Sequence, residues 1–101
     1  MSTDIDIEID EKIKKERDFP HNYKVVFLND EVTPMEWVIE LLTTTFKHSR
    51  AAAENITLTI HSEGSGIAGV YKYEVAEQKS LEAAGASRER GFPLGIRIDE
   101  E

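Results

Sequence analysis

"SRAAAENITLTIH", residues 49–61, is the stretch on which the fold turns. Ser49 is a residue type that caps helices, and Ala51 to Glu54 propagate a helix well. Ile56, Leu58 and Ile60, however, alternate with Thr57 and Thr59 as the two faces of a strand do. Taken alone, these residues leave the element open, and the order of elements has to be read from its flanks.

Upstream, "YKVVFLN" (23–29) is rich in β-branched and aromatic residues and is bounded by Pro20 before and Asn29-Asp30 after, which predicts a buried strand. Thr33-Pro34-Met35-Glu36 has the pattern of a capping box, with Thr at the N-cap, Pro at the first helical position and Glu at the third. A helix is predicted from Pro34 to about Phe46. Met35, Val38, Leu41, Leu42 and Phe46, with Trp37 beside them, form its buried stripe at i, i+3 and i+4 spacings.

Downstream, "SEGSG" (62–66) reads as a turn with two glycines available for positive φ, and "IAGVYKY" (67–73) as a strand. "EVAEQKSLEAAGASRER" is made mostly of helix formers, with Gly85 a weak spot and Gly91 a natural stop before Pro93. "LGIRI" (94–98) alternates as a closing strand, and the acidic tail after it is expected in solvent. The order is strand, helix, open element, strand, helix, strand, which suits a small α+β sandwich with a sheet on one side and helices on the other.

Residues 1–22 are charge-rich. "DIDIEID" alternates as an edge strand could, but the flanking charge and terminal position favour a mobile arm. The chain of 101 residues fits one domain, with the leader at 1–22 and the core at 23–101, and its 40% hydrophobic content suffices for a modest core. A net charge of -8 repels phosphate backbones and anionic membrane surfaces, so neither nucleic acid nor membrane is an expected partner, whereas a cationic group on a ligand suits it. Cysteine is absent, which excludes disulfides, thiol catalysis and Cys-ligated zinc. Apolar runs fall far short of the roughly 20 residues of a membrane span, and the acidic N-terminus is unlike a signal peptide, so the cytoplasm is the default location. The sequon at Asn55 has no meaning without secretion.

Asn29, Asp30 and Glu31 stand where a strand ends and a helix is about to start. Turn chemistry and the helix dipole account for such residues, since acids at a helix N-terminus gain about 0.3–1 kcal/mol. Three acceptor-bearing side chains in one loop also make a negative, hydrogen-bonding spot that suits an ammonium. His61 has the same two readings, a partner of a helix C-terminus or a holder of a polar ligand. His21, His48 and His61 have no carboxylate at a metal-ligand spacing, no nucleophile motif is present, and "GSG" (64–66) lacks the other residues of a phosphate loop. No enzyme, metal or cofactor is expected.

"YKVVFLNDEVTPMEWVIELL", "IHSEGSGIAGVYKYEVAEQK" and "FPLGIRIDEE" closely resemble the ClpS family, adaptors that pass N-degron substrates to a Clp AAA+ unfoldase and its ClpP-type peptidase. The match runs from about Tyr23 to Ile98. It implies a β-α-α-β-α-β fold, a three-stranded antiparallel sheet on three helices, similar to the C-terminal domain of the bacterial ribosomal stalk protein. Residues 49–61 then become a helix, against the local alternation.

The resemblance further implies that the chain binds the first residue of a substrate, a free α-amino group with a Leu, Phe, Tyr or Trp side chain. Asn29, Asp30 and His61 match the polar set around the amine, and Glu31 and Thr33 the pocket mouth. Met35, Val38, Thr57, Ile60 and Leu94 match the apolar wall, with Met35 the gate against β-branched residues. Glu74, Glu77 and Lys79 match positions that dock on the N-terminal domain of a ClpA- or ClpC-like unfoldase, and the leader matches an extension that engages the unfoldase during hand-off. A monomer is implied. Chemistry agrees: an α-amino group with a pKa near 7.7–8 is an ammonium at neutral pH and needs acceptors, so an acetylated end should be rejected.

Three residues depart from the family pattern. Glu31 stands where Asp is common, Thr57 where Met is common, predicting a roomier and more polar wall, and Trp37 where Phe is usual, predicting a repacked core. Two other functional classes fit less well. A stalk-like interaction module shares the fold without the Asn-Asp/His set, and a hydrolase built on Asp30 or Glu31 with His61 lacks a nucleophile or metal.

Overall fold

The computed structural model of the chain describes the backbone of residues 7–9 and the whole of residues 22–101. In chain order the elements are strand β1 (Ile7–Ile9), strand β2 (Asn22–Leu28), helix α1 (Met35–Thr44), helix α2 (Arg50–Glu63), strand β3 (Ser65–Lys72), helix α3 (Tyr73–Glu89) and strand β4 (Gly95–Glu100). From β2 onward this is the β-α-α-β-α-β order.

β2 holds the centre because its alternate residues Tyr23, Val25 and Phe27 turn one fully buried apolar face toward the helices. β3 and β4 flank it, both antiparallel, giving the expected three-stranded sheet. β1 extends that sheet to the order β1-β4-β2-β3, lying parallel to β4 with Ile7 opposite Ile96 and Ile9 opposite Ile98. These three residues follow the alternation in "DIDIEID" rather than the charge around it, since an open strand edge presents unpaired N–H and C=O groups whatever flanks it. Asn22, the last residue of the mobile arm expected over 1–22, is the first residue of β2, and the rest of that arm lies outside the described residues.

Helix α3 crosses the inner face and touches every strand, α1 packs on α2, and α2 packs against β3. Edge-to-face ring pairs join the layers, Tyr23 to Tyr73 and Phe27 to Phe46, each with centroids 5.4 Å apart.

The open segment is helical. Ser49 Oγ accepts the N–H of Ala52 at 3.1 Å, and Gly64, at φ 94, ends the helix in the left-handed conformation with its N–H on the Ile60 carbonyl. Ala53, Thr57 and Ile60 form the buried stripe at helical spacing, while Leu58 is exposed. Two local caps and a 3.6-residue stripe therefore outweigh the alternation of Ile with Thr. Of the two turn glycines, only Gly64 has positive φ. Gly66 already belongs to β3, where a Cβ would sit 2.7 Å from Ile60 Cγ1, so its role is the close approach of strand and helix.

The capping box does not form. Pro34 is itself the N-cap, with ψ 144 and no side-chain cap, and α1 begins at Met35. The Thr33 hydroxyl donates instead to Asp30 Oδ2 at 2.8 Å, and Glu36 pairs with Arg50 at 3.0 Å. A cap would use the Thr33 oxygen as an acceptor, but the charge-assisted bond its hydroxyl donates turns the side chain toward Asp30 and away from the helix. Met35 is 41% exposed, so the buried stripe of α1 starts at Trp37. Trp37 does more than repack the core: its Nε1 donates to Ser87 Oγ at 2.8 Å and its ring receives the Arg90 guanidinium at 4.5 Å. The acidic tail is also more structured than expected, with Asp99 and Glu100 inside β4 and Asp99 paired to Arg97 at 3.0 Å.

Candidate binding site

Three pieces of chain meet at one end of the sheet. Leu28, the last residue of β2, pairs with Ser65 on one side and Gly95 on the other. The next residue, Asn29, donates its backbone N–H to the Gly64 carbonyl at 2.9 Å. The loop from β2 to α1, the C-terminal turn of α2 and the entry to β4 are thus brought around a single pocket.

Asn29, Asp30, Thr33 and His61 supply its polar side, and Met35, Val38, Thr57, Ile60 and Leu94 its wall. Glu31 joins Asn29, Asp30, Thr33, Met35 and His61 at the mouth. All ten pocket positions expected from the sequence therefore converge. Leu28 completes the lining. The sequence reading misses it, because a half-buried last residue of a strand carries no signal apart from its place beside Asn29.

Asp30 organises the loop. Its Oδ1 accepts the N–H groups of Val32 and Thr33, each at 2.7 Å, and its Oδ2 accepts the Thr33 hydroxyl. A carboxylate offers about four acceptor sites, so one on Oδ2 stays open to a ligand. Burial pushes the Asp30 carboxyl up, but the hydrogen bonds from Thr33 and Val32, with the positive charge of Arg88, outweigh it and hold the pKa below the ordinary value. Asp30 is consequently an anion throughout the neutral range.

The wall is apolar in fact as well as in sequence. Val38, Ile60 and Leu94 are buried, and the Thr57 hydroxyl donates to the Ala53 carbonyl at 2.8 Å within its own helix. The more polar wall expected at Thr57 does not follow, since its donor is already committed. The interior holds only about 20 Å³, room for one water, and the concavity of about 440 Å³ at its mouth shares Asn29, Asp30, Thr33, Met35 and His61 with it. A larger concavity of about 480 Å³ lies between α2 and the outer sheet face, where Arg97 and Asp99 line a floor of Val26 and Ile67. Those two charges neutralise each other, and chemistry rather than size singles out the smaller pocket.

Glu74, Glu77 and Lys79 lie elsewhere. Glu74 is exposed in the first turn of α3, beyond Lys72, which pairs with Asn22 at the far end of the sheet. At about 3.3 Å per residue, that places it roughly 20 Å from the pocket. Lys79 is engaged internally: its Nζ donates to the Thr45 carbonyl at 2.8 Å and lies 5.5 Å from the Tyr71 ring centroid. Among the described residues no group of three or more His, Asp or Glu could hold a metal ion, and no helix is long and apolar enough to cross a membrane.

Fold and pocket together define a small α+β binding domain that sets hydrogen-bond acceptors beside an apolar wall. The family described as ATP-dependent Clp protease adaptor protein ClpS matches residues 18–97. The chain is 42% identical over 90 residues to the ATP-dependent Clp protease adapter protein ClpS of Desulforapulum autotrophicum, covering 89% of this chain and 86% of that one. It is 43% identical over 82 residues to the ClpS adapter of Maricaulis maris, covering 81% and 75%. The structure of Agrobacterium tumefaciens ClpS2 bound to L-phenylalaninamide superposes with a TM-score of 0.78 at 36% identity, over 81% of this chain and 99% of that one. The chain belongs to the ClpS family of ATP-dependent Clp protease adaptors.

Proposed function

We propose that the pocket takes the first residue of a substrate protein, its α-ammonium on Asn29, Asp30 and His61 and its side chain against Met35, Val38, Thr57, Ile60 and Leu94. The observation that carries this reading is the open acceptor site on Asp30, held at the mouth of an apolar interior. L-phenylalaninamide, the ligand of the Agrobacterium relative, has the matching chemistry of a free α-amine and a benzyl group. A phenylalanine or leucine side chain needs more room than about 20 Å³, so the wall has to move. Met35, unbranched and half exposed, is the member able to do so. Burying the side chain contributes roughly 1.5–3 kcal/mol, and each shielded bond to the ammonium a similar amount.

The protein acts in the cytoplasm as a monomer, and the α3 surface around Glu74, Glu77 and Lys79 docks on the N-terminal domain of a ClpA- or ClpC-like unfoldase. With Lys79 tied to Thr45, the exposed Glu74 is the leading contact of that surface.

The test is fluorescence anisotropy with short peptides that differ only at the first residue. Phe, Tyr, Trp or Leu with a free amine should bind, and Ile, Met, Lys or acetylated Phe at least about tenfold more weakly, roughly 1.4 kcal/mol. Equal binding of the acetylated peptide would refute the assignment.

A further inference from the structure

The C-terminal turn of α3 grips the chain at the apolar wall of the pocket. Arg88 Nη1 donates to the carbonyls of Phe92 at 2.9 Å and Leu94 at 3.2 Å. Leu94 is the buried wall residue that immediately precedes β4, so the two bonds set where the wall stands. The turn is fixed from its other side as well. The Phe92 N–H returns to the Ser87 carbonyl at 2.9 Å, and the Phe92 ring packs 6.0 Å from Trp37, whose Nε1 is held by Ser87. The charge of the same guanidinium also helps, after the hydrogen bonds of Thr33 and Val32, to hold the Asp30 carboxyl below its ordinary pKa.

We propose that Arg88 is a positioning residue of the pocket, setting its apolar wall by holding the carbonyls of Phe92 and Leu94. Arg88 does not line the pocket; it acts through Leu94. A planar guanidinium suits the task because Nη1 carries two N–H groups in one fixed plane, one for each carbonyl, whereas a lysine offers freely rotating donors on a flexible stem. The inference rests on the reading of the pocket as the seat of a substrate's first residue.

Two variants separate the two contributions. Arg88→Lys keeps the charge and loses the two-carbonyl grip, and Arg88→Met loses both. The groups around Asp30 are the N–H of Val32 and Thr33 and the Thr33 hydroxyl on its own loop, Glu31 beside it, His61 from α2 and Arg88 from α3. The Asp30 carboxyl carbon, followed by NMR during acid titration of the free protein, reports the charge directly, and anisotropy with a Phe-initiated peptide reports the wall. Arg88→Met should move the Asp30 midpoint upward and weaken the peptide at least about fivefold. Arg88→Lys should weaken the peptide similarly while leaving the midpoint near that of the unmodified chain. Peptide affinity unchanged in Arg88→Lys overturns the proposal. If Arg88→Met fails to fold, Arg88→Lys decides by its affinity. Failure of the underlying reading looks different: the unmodified chain would then bind free and acetylated peptides alike, whereas failure of this inference leaves that discrimination intact.

Discussion

The N–H of Asn29 donates to the carbonyl of Gly64 at 2.9 Å, tying the loop that carries Asn29 and Asp30 to the turn that ends the helix carrying His61. Acceptors separated in the chain by all of α1 and most of α2 are held in one place by that bond. Gly64 presents its carbonyl there because it adopts φ 94, a conformation that costs other residues roughly 1–2 kcal/mol. Gly64→Ala is therefore expected to lower stability by about that amount and to weaken Phe-initiated peptides. Denaturant unfolding and anisotropy together check this, and unchanged values in both would remove the anchoring role.

Asp30→Asn keeps the size of the side chain and removes its charge. The free-amine peptide should lose roughly 1.5–3 kcal/mol of affinity, a factor of about 10 to 150, while the acetylated peptide, which offers no ammonium, should be unaffected. Anisotropy on the two peptides reads the difference, and an equal loss on both would point to a collapsed loop rather than a missing charge.

The depressed pKa of Asp30 has a sign in stability. A carboxyl whose folded pKa lies below its unfolded value, near 3.9, adds stability that is fully present above that value and is lost as pH falls toward the folded pKa. Urea unfolding between pH 5 and 2.5 should show a smaller acid-induced loss for Asp30→Asn than for the unmodified chain. Parallel pH profiles would show that the loop hydrogen bonds add nothing to folding.

Met35→Ala removes the half-exposed side chain at the mouth. Discrimination between Leu- and Ile-initiated peptides should fall from about tenfold toward parity, because a shortened side chain no longer meets a branch at the β-carbon. A retained preference would assign the gate to another residue of the wall.

Ser80 is fully buried in α3, and its hydroxyl has no hydrogen-bond partner. Replacing it with alanine removes an unsatisfied polar atom and raises helix propensity, so Ser80→Ala should stabilise the domain by about 0.5–1.5 kcal/mol, several degrees in Tm. Peptide binding should not change, since Ser80 lies outside the pocket lining. A destabilised variant would reveal a partner for that hydroxyl.

Much of this protein is legible one segment at a time. Periodicity and local punctuation place β2, the buried stripe of α1 from Trp37, the long α3 and the closing strand within a few residues of where they lie, because each buries a face that its own spacing defines. The motif around Asn29 and Asp30, with its family resemblance, locates every pocket residue except Leu28. What the sequence determines by itself is thus a set of amphipathic elements and the acceptors at their junctions. Tertiary structure decides the contests between partners. Thr33 could cap α1 or bond Asp30, and takes the carboxylate. The alternating residues 56–60 could pair as a strand, but two caps and the packing of Ala53, Thr57 and Ile60 make them a helix. Arg88 meets the Leu94 carbonyl only because the chain turns back from α3 into β4, and its charge helps to lower the Asp30 pKa only once the loop after β2 is packed in the same fold, for local spacing holds no record of which remote charge will act on a carboxylate.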